Sequence, residues 1–190
     1  MNFRPFFMAL FATACLDGGS SGLSDQFRET PFRFLPGVEL GMTGKELHSV
    51  RPSATYAPYL GLQEKIPGFT VSYQFPLSNM ESSAADVGAN NRLEGVFISE
   101  PFDSMERADS AWRERVNAVS SRHHAPTSCE SFPTGGMQAR WITGGVVLAI
   151  GAFPREPMAP SVTNRVIYAV SPSASLKQPA GATKIDCPKS

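Results

Sequence analysis

Gly144-Gly145 separates two proline-free runs, Met137–Thr143 and Val146–Phe153, which carry Trp141, Ile142, Val146, Val147, Ile150 and Phe153. Two such runs meeting at a Gly-Gly pair read as a tight antiparallel hairpin. A chain that contains such a hairpin is biased toward an antiparallel sheet, where neighbours in sequence become neighbours in space. Strict alternation over 69–75, with Phe69, Val71, Tyr73 and Phe75 against Thr70, Ser72 and Gln74, predicts a strand with one aromatic face buried. Residues 93–99 read as its returning partner, and 165–170 as a fifth strand. Gly 16 and Pro 16 make about 17% of the 190 residues, against roughly 12% on average, which argues for many turns and against a helical bundle.

Two helices are expected. Over 41–51, Thr43 and Glu46 stand at capping-box spacing, Met42 and Leu47 at hydrophobic-staple spacing, and Pro52 ends the run. Over 103–124, Asp103 is placed to cap, with Glu106 three residues on, and Met105, Ala108, Trp112, Val116 and Val119 form one apolar stripe. Pro126 terminates it, with His123 and His124 in the last turn. Segments 52–68 and 76–92 read as loops. The expected fold is therefore α+β, an antiparallel sheet of about five strands with helices on one face, in the order α-β-β-α-β-β-β. Residues 32–190 would form that single domain.

The first residues read as an address. Arg4 is followed by an uncharged apolar stretch and then Ala12-Thr13-Ala14, the pattern of a secretory signal peptide over 1–14. Ala12-Thr13-Ala14-Cys15 resembles the lipobox of bacterial lipoproteins, which implies that Cys15 is the lipid-attachment site and the mature N-terminus. The same small residues also satisfy an ordinary cleavage site, which would yield a soluble exported protein. Residues 15–31 open with LDGGSSGLSD after the cysteine, a Gly/Ser tether able to hold a domain off a membrane. The expected location is the bacterial cell envelope, outer membrane in preference to inner, with the domain outside the cytoplasm. In that oxidising space Cys129 and Cys187 form an even pair, which predicts a disulfide; a reactive thiol at Cys129 is the alternative.

Charge excludes some partners. Lys+Arg 17 balance Asp+Glu 17, so no chain-wide basic field draws nucleic acid. No apolar run approaches the ~20 residues needed to span a bilayer.

Motifs that could carry chemistry fail on context. Gly18-Gly19-Ser20-Ser21-Gly22 matches the letters of a nucleophile elbow, but a leader and a tether flank it where a strand and a helix are required. Gly41-Met42-Thr43-Gly44-Lys45 hints at a phosphate loop, yet Glu39 and Glu46 occupy positions that would repel phosphate. His48, His123 and His124 lack the four-residue helical spacing of a metal site, so no metal and no cofactor are expected. A Cys129/His124 dyad competes with the disulfide for the same cysteine. Glu94, Glu100 and Asp103 could pair for acid–base work, but solvated edge and helix-cap roles explain them more simply. Trp112 and Trp141 are read as core rather than as a ligand platform.

The lipobox, the tether and the run GVELGMTGKELHSV together resemble the small outer-membrane lipoproteins of the SmpA/OmlA (BamE) type, through Gly41-Met42-Thr43 with Glu46 and Leu47. The resemblance implies a compact helix-plus-antiparallel-sheet module that works by binding protein rather than by catalysis. The expected function is a non-catalytic, lipid-anchored envelope protein, held to the membrane through Cys15 and docking on an envelope protein partner. An exported hydrolase and a soluble small-ligand binder are the alternatives.

Overall fold

The computed structural model describes residues 35–57, 61–76, 91–155, 163–172 and 181–188. The expected leader over 1–14, Cys15 and the tether lie outside these residues.

Among the described residues two helices and nine strands follow in chain order: α1 (Gly44–Val50), β1 (Thr55–Ala57), β2 (Gly61–Ile66), β3 (Phe69–Gln74), β4 (Gly95–Phe102), α2 (Met105–Arg122), β5 (Ser128–Ser131), β6 (Met137–Thr143), β7 (Val146–Phe153), β8 (Asn164–Pro172) and β9 (Thr183–Ile185). All nine strands belong to one antiparallel sheet ordered β1-β2-β3-β4-β8-β7-β6-β5-β9. Two meanders, β1 to β4 and β5 to β8, join at the β4–β8 seam. The expectation of an α+β sheet of about five strands with helices on one face, in the order α-β-β-α-β-β-β, is therefore overturned: the described residues hold nine strands in the order α-β-β-β-β-α-β-β-β-β-β and are mostly β, because the segment read as a loop over 52–68 supplies two strands and β5 and β9 are added at the far edge.

Helix α2 explains how the two meanders connect. It leads from β4 in the middle of the sheet to β5 near an edge, four strand spacings or roughly 19 Å away. Its 18 residues extend about 27 Å, enough to cross β8 and β7 and bury its stripe on the way. Ala108, Ala111, Trp112, Val116 and Val119 are buried there. Ser104, not Asp103, is the N-cap: its hydroxyl accepts from the Arg107 N–H, while Asp103 pairs with the Arg107 guanidinium at 2.7 Å. His123 is the C-cap, so His124 lies beyond the last turn.

Helix α1 has the expected start. Thr43 accepts from the Glu46 N–H at 3.2 Å and its own N–H donates to Glu46 Oε2 at 2.7 Å. Leu47 is fully buried in the core, against which Met42 packs. The β6–β7 hairpin has the expected bounds and turns at Gly144 and Gly145, with φ of 58° and 80°, which a residue with a Cβ adopts only with strain.

Register sorts the sheet into two faces, because directly paired residues point to the same side. Leu62, Val71, Tyr73, Val96, Ile98, Tyr168, Val166, Leu148, Ile150, Ala139 and Trp141 share the core face. The intervening residues, among them Lys65, Thr70, Ser99, Ile167 and Gln138, share the other. Both edges, β1 and β9, are three residues long, which limits the open backbone offered to other chains. Among the described residues no helix is long and apolar enough to cross a membrane.

Candidate functional site

Three carboxylates are buried in the described sheet, and an arginine meets each of them. Glu64 on β2 accepts from Arg51 Nε at 2.9 Å and Nη2 at 2.8 Å, from Tyr73 Oη at 3.0 Å, and from the Ser53 hydroxyl. Burial by itself would raise the Glu64 carboxyl, but the hydrogen bonds from Ser53, Arg51 and Tyr73 outweigh it and hold the group below the usual carboxylate range. Burial, then the Glu64 charge, pushes the Tyr73 phenol well above its ordinary value. The network ties the end of α1 to β2 and β3.

Glu100 on β4 faces Arg115 of α2, with Arg115 Nη2 3.0 Å from Oε2, and Arg115 Nη1 also donates to the Ala111 carbonyl at 3.0 Å. Glu130 on β5 is bonded to Arg140 on β6. The Glu94/Glu100/Asp103 grouping thus comes apart. Glu94 and Asp103 are exposed, while Glu100 is 5% exposed on the core face, so the solvated-edge reading of Glu100 is corrected. Each of these arginine-paired carboxylates ties one element of the fold to another.

The remaining candidates resolve similarly. Cys129 and Cys187 form a disulfide with Cα atoms 5.2 Å apart, which removes the thiol a Cys129/His124 dyad needs. His48, His123 and His124 are all exposed, and no group of three or more His, Cys, Asp or Glu side chains able to hold a metal occurs among the described residues. Trp112 and Trp141 are each 1% exposed. Their indole N–H groups donate to the carbonyls of Ile150 and His124, both at 2.8 Å, so neither ring offers a platform. Gly18 to Gly22 lie outside the described residues.

Among the described residues two concave surfaces share Glu39 and Leu40 in their lining. An apolar cleft of about 350 Å³ is lined by Leu35, Val38 and Leu40 against Val96, Val146 and Val170 from β4, β7 and β8. A more open hollow of about 440 Å³ lies between Glu39, Met42, α1 and Arg92. Arg92 closes it, donating to the Gly41 carbonyl at 3.2 Å and standing 3.9 Å from Glu46. Sequence reasoning missed both, since Val38 and Leu40 belong to no periodic element. The chemistry on offer here is shape and apolar contact, with Glu39 as the polar group common to both surfaces.

Comparison of the chain with known protein families, characterised proteins and solved structures yields no match. The functional reading rests on the residues themselves.

Proposed function

We propose that the protein is a lipid-anchored bacterial envelope lipoprotein whose sheet domain is a non-catalytic binding module. One observation carries the reading. Of three cysteines, Cys129 and Cys187 are joined, and the third, Cys15, stands directly after Ala12-Thr13-Ala14 and before a Gly/Ser tether. A disulfide suits an oxidising compartment, and the lipobox resemblance supplies the anchor. The likeness of Gly41-Met42-Thr43 with Glu46 and Leu47 to the small outer-membrane lipoproteins supports a docking role on an envelope protein. Expressed in a bacterium, the wild-type chain partitions with membranes, and Cys15→Ser is released or left uncleaved. Equal partitioning of the two, with normal cleavage, would overturn the anchor.

The apolar cleft favours a second reading, a soluble exported binder of a small apolar ligand. Its ~350 Å³ falls at the low end of the ~300–1,000 Å³ typical of ligand pockets. Native mass spectrometry of the detergent-free protein separates the two, since a stoichiometric small molecule belongs to this reading alone.

A further inference from the structure

The apolar cleft at one end of the sheet has a lining whose chemistry narrows what can fill it. Val96 and Val146 stand at the starts of β4 and β7, and Val170 near the end of β8. Leu35, Val38 and Leu40 form the facing wall. Backbone bonds fix that wall: the Gly41 N–H donates to the Leu93 carbonyl at 2.8 Å, the Leu93 N–H to the Met42 carbonyl at 2.7 Å, and the Val38 N–H to the Leu35 carbonyl at 3.1 Å. Leu35 and Val96 are buried, whereas Val38, Leu40, Val146 and Val170 keep part of their surface open.

Every side chain of the lining except Glu39 is aliphatic. No aromatic ring among them stacks on a planar ligand, and no donor meets a polar one. Glu39 is exposed and anionic. Arg92, the cation that shares the neighbouring hollow with Glu39, is engaged by the Gly41 carbonyl and Glu46. A free fatty acid or a phospholipid brings a second anion beside Glu39, and like charges brought together cost affinity. An acyl chain whose head is a neutral ester avoids that cost. At about 350 Å³ the cleft lies at the low end of ligand pockets, with room for one alkyl chain rather than a whole diacyl lipid.

The chain itself offers such a group. In the envelope reading Cys15 carries ester-linked acyl chains, and residues 16–34 separate it from Leu35 on the cleft wall. A flexible run of that length has an r.m.s. span of roughly 25 Å, so the attached lipid meets the cleft at an effective concentration on the order of 1 mM. A second copy or a free ligand lacks that advantage.

We infer that the cleft shelters one acyl chain of the protein's own Cys15 lipid while the protein is off a membrane. The inference rests on the envelope reading above and gives its lipid a second resting place. A bilayer surrounds the whole chain, whereas the cleft has an open mouth, so the lipid moves to a membrane when one is present.

The test follows hydrogen exchange of the full chain purified from membranes, with lipid on Cys15 verified by intact mass and detergent removed, beside Cys15→Ser. Exchange over 35–42 and at the starts of β4 and β7 is expected to be about tenfold slower in the lipidated chain, as an effective concentration about ten times the dissociation constant gives. The protection is independent of protein concentration, and phosphatidylcholine vesicles, which withdraw the chain, abolish it. Val38→Trp, which fills the cleft, and Val146→Glu, which charges it, each remove the difference between lipidated and unlipidated protein while melting near the wild-type temperature. Supplied separately, monopalmitoylglycerol binds Cys15→Ser about tenfold more tightly than palmitate does, and Glu39→Gln narrows that gap. Equal exchange with and without lipid, protection that grows with protein concentration, protection retained by both folded variants, or palmitate bound as tightly as the neutral ester would overturn the inference. A chain without lipid on Cys15 overturns the envelope reading and this inference with it, whereas a lipidated chain with an unprotected cleft overturns this inference alone.

Discussion

Cys187 bonds to Cys129, and Cys129 also pairs in register with Ile185, two residues before the bond. The disulfide therefore fastens a three-residue edge strand to the neighbour it already touches. Thr183 and Lys184 are exposed and Ile185 is half-buried, so β9 gains little from burial alone. Its attachment depends on the covalent link.

That dependence can be measured. Cys187→Ser opens a loop of 58 residues, and the chain-entropy model gives about 4 kcal/mol for closing one of that length. Urea unfolding of wild type and Cys187→Ser is expected to differ by an amount of that order. Hydrogen exchange should localise the early loss of protection to β9 and β5.

The buried pair between Arg115 and Glu100 makes an asymmetric prediction. Glu100→Gln leaves the buried Arg115 guanidinium with only the exposed Glu114 carboxylate, 3.7 Å away, and is expected to cost about 3 kcal/mol. Replacing both, as Glu100→Leu/Arg115→Met, is expected to restore much of the loss, because the desolvation penalty disappears with the charges. A double-mutant cycle from urea melts measures the coupling. A double variant as unstable as the sum of the singles would show that shape, not charge, holds this site.

Glu64 sets part of the acid stability. Its folded carboxyl lies below the ordinary range, so its contribution is present above the unfolded value near 4.3 and is lost as pH falls through the folded value. Wild-type stability should therefore decline with acid below about pH 4.3, and Glu64→Gln should flatten that slope while lowering stability at neutral pH. Unfolding curves taken from pH 7 down to the acid transition report both effects.

Trp112 is both core and cross-brace, filling space under α2 and donating to the Ile150 carbonyl on β7. Trp112→Ala should cost about 3–5 kcal/mol as a large-to-small core change. Trp112→Phe should cost less, since it keeps an aromatic ring and loses the indole N–H. An unshifted melt for Trp112→Ala would mean that the stripe is a docking surface rather than core.

The strands that could be read from sequence are those whose alternation is undisturbed. In β3, Phe69, Val71 and Tyr73 point inward against Thr70, Ser72 and Gln74, and β6 and β7 meet at two glycines. Strand β2 was hidden because its core face includes Glu64, whose charge breaks the pattern until Arg51, Ser53 and Tyr73 are seen around it. Strands β5 and β9 are too short for periodicity, and both are held by long-range partners and a disulfide. Asp103 looked like the cap because it stands three residues before Glu106, yet Ser104 is the residue whose hydroxyl reaches the Arg107 N–H.

The most direct test of the envelope reading is the intact mass of the protein purified from membranes of a bacterium expressing the full chain. The expected species begins at Cys15 and carries the added mass of a diacylglyceryl group, and it shifts to a smaller mass on alkaline removal of the ester-linked chains. A mature chain with an unmodified Cys15, or one cleaved elsewhere and free of lipid, would contradict it.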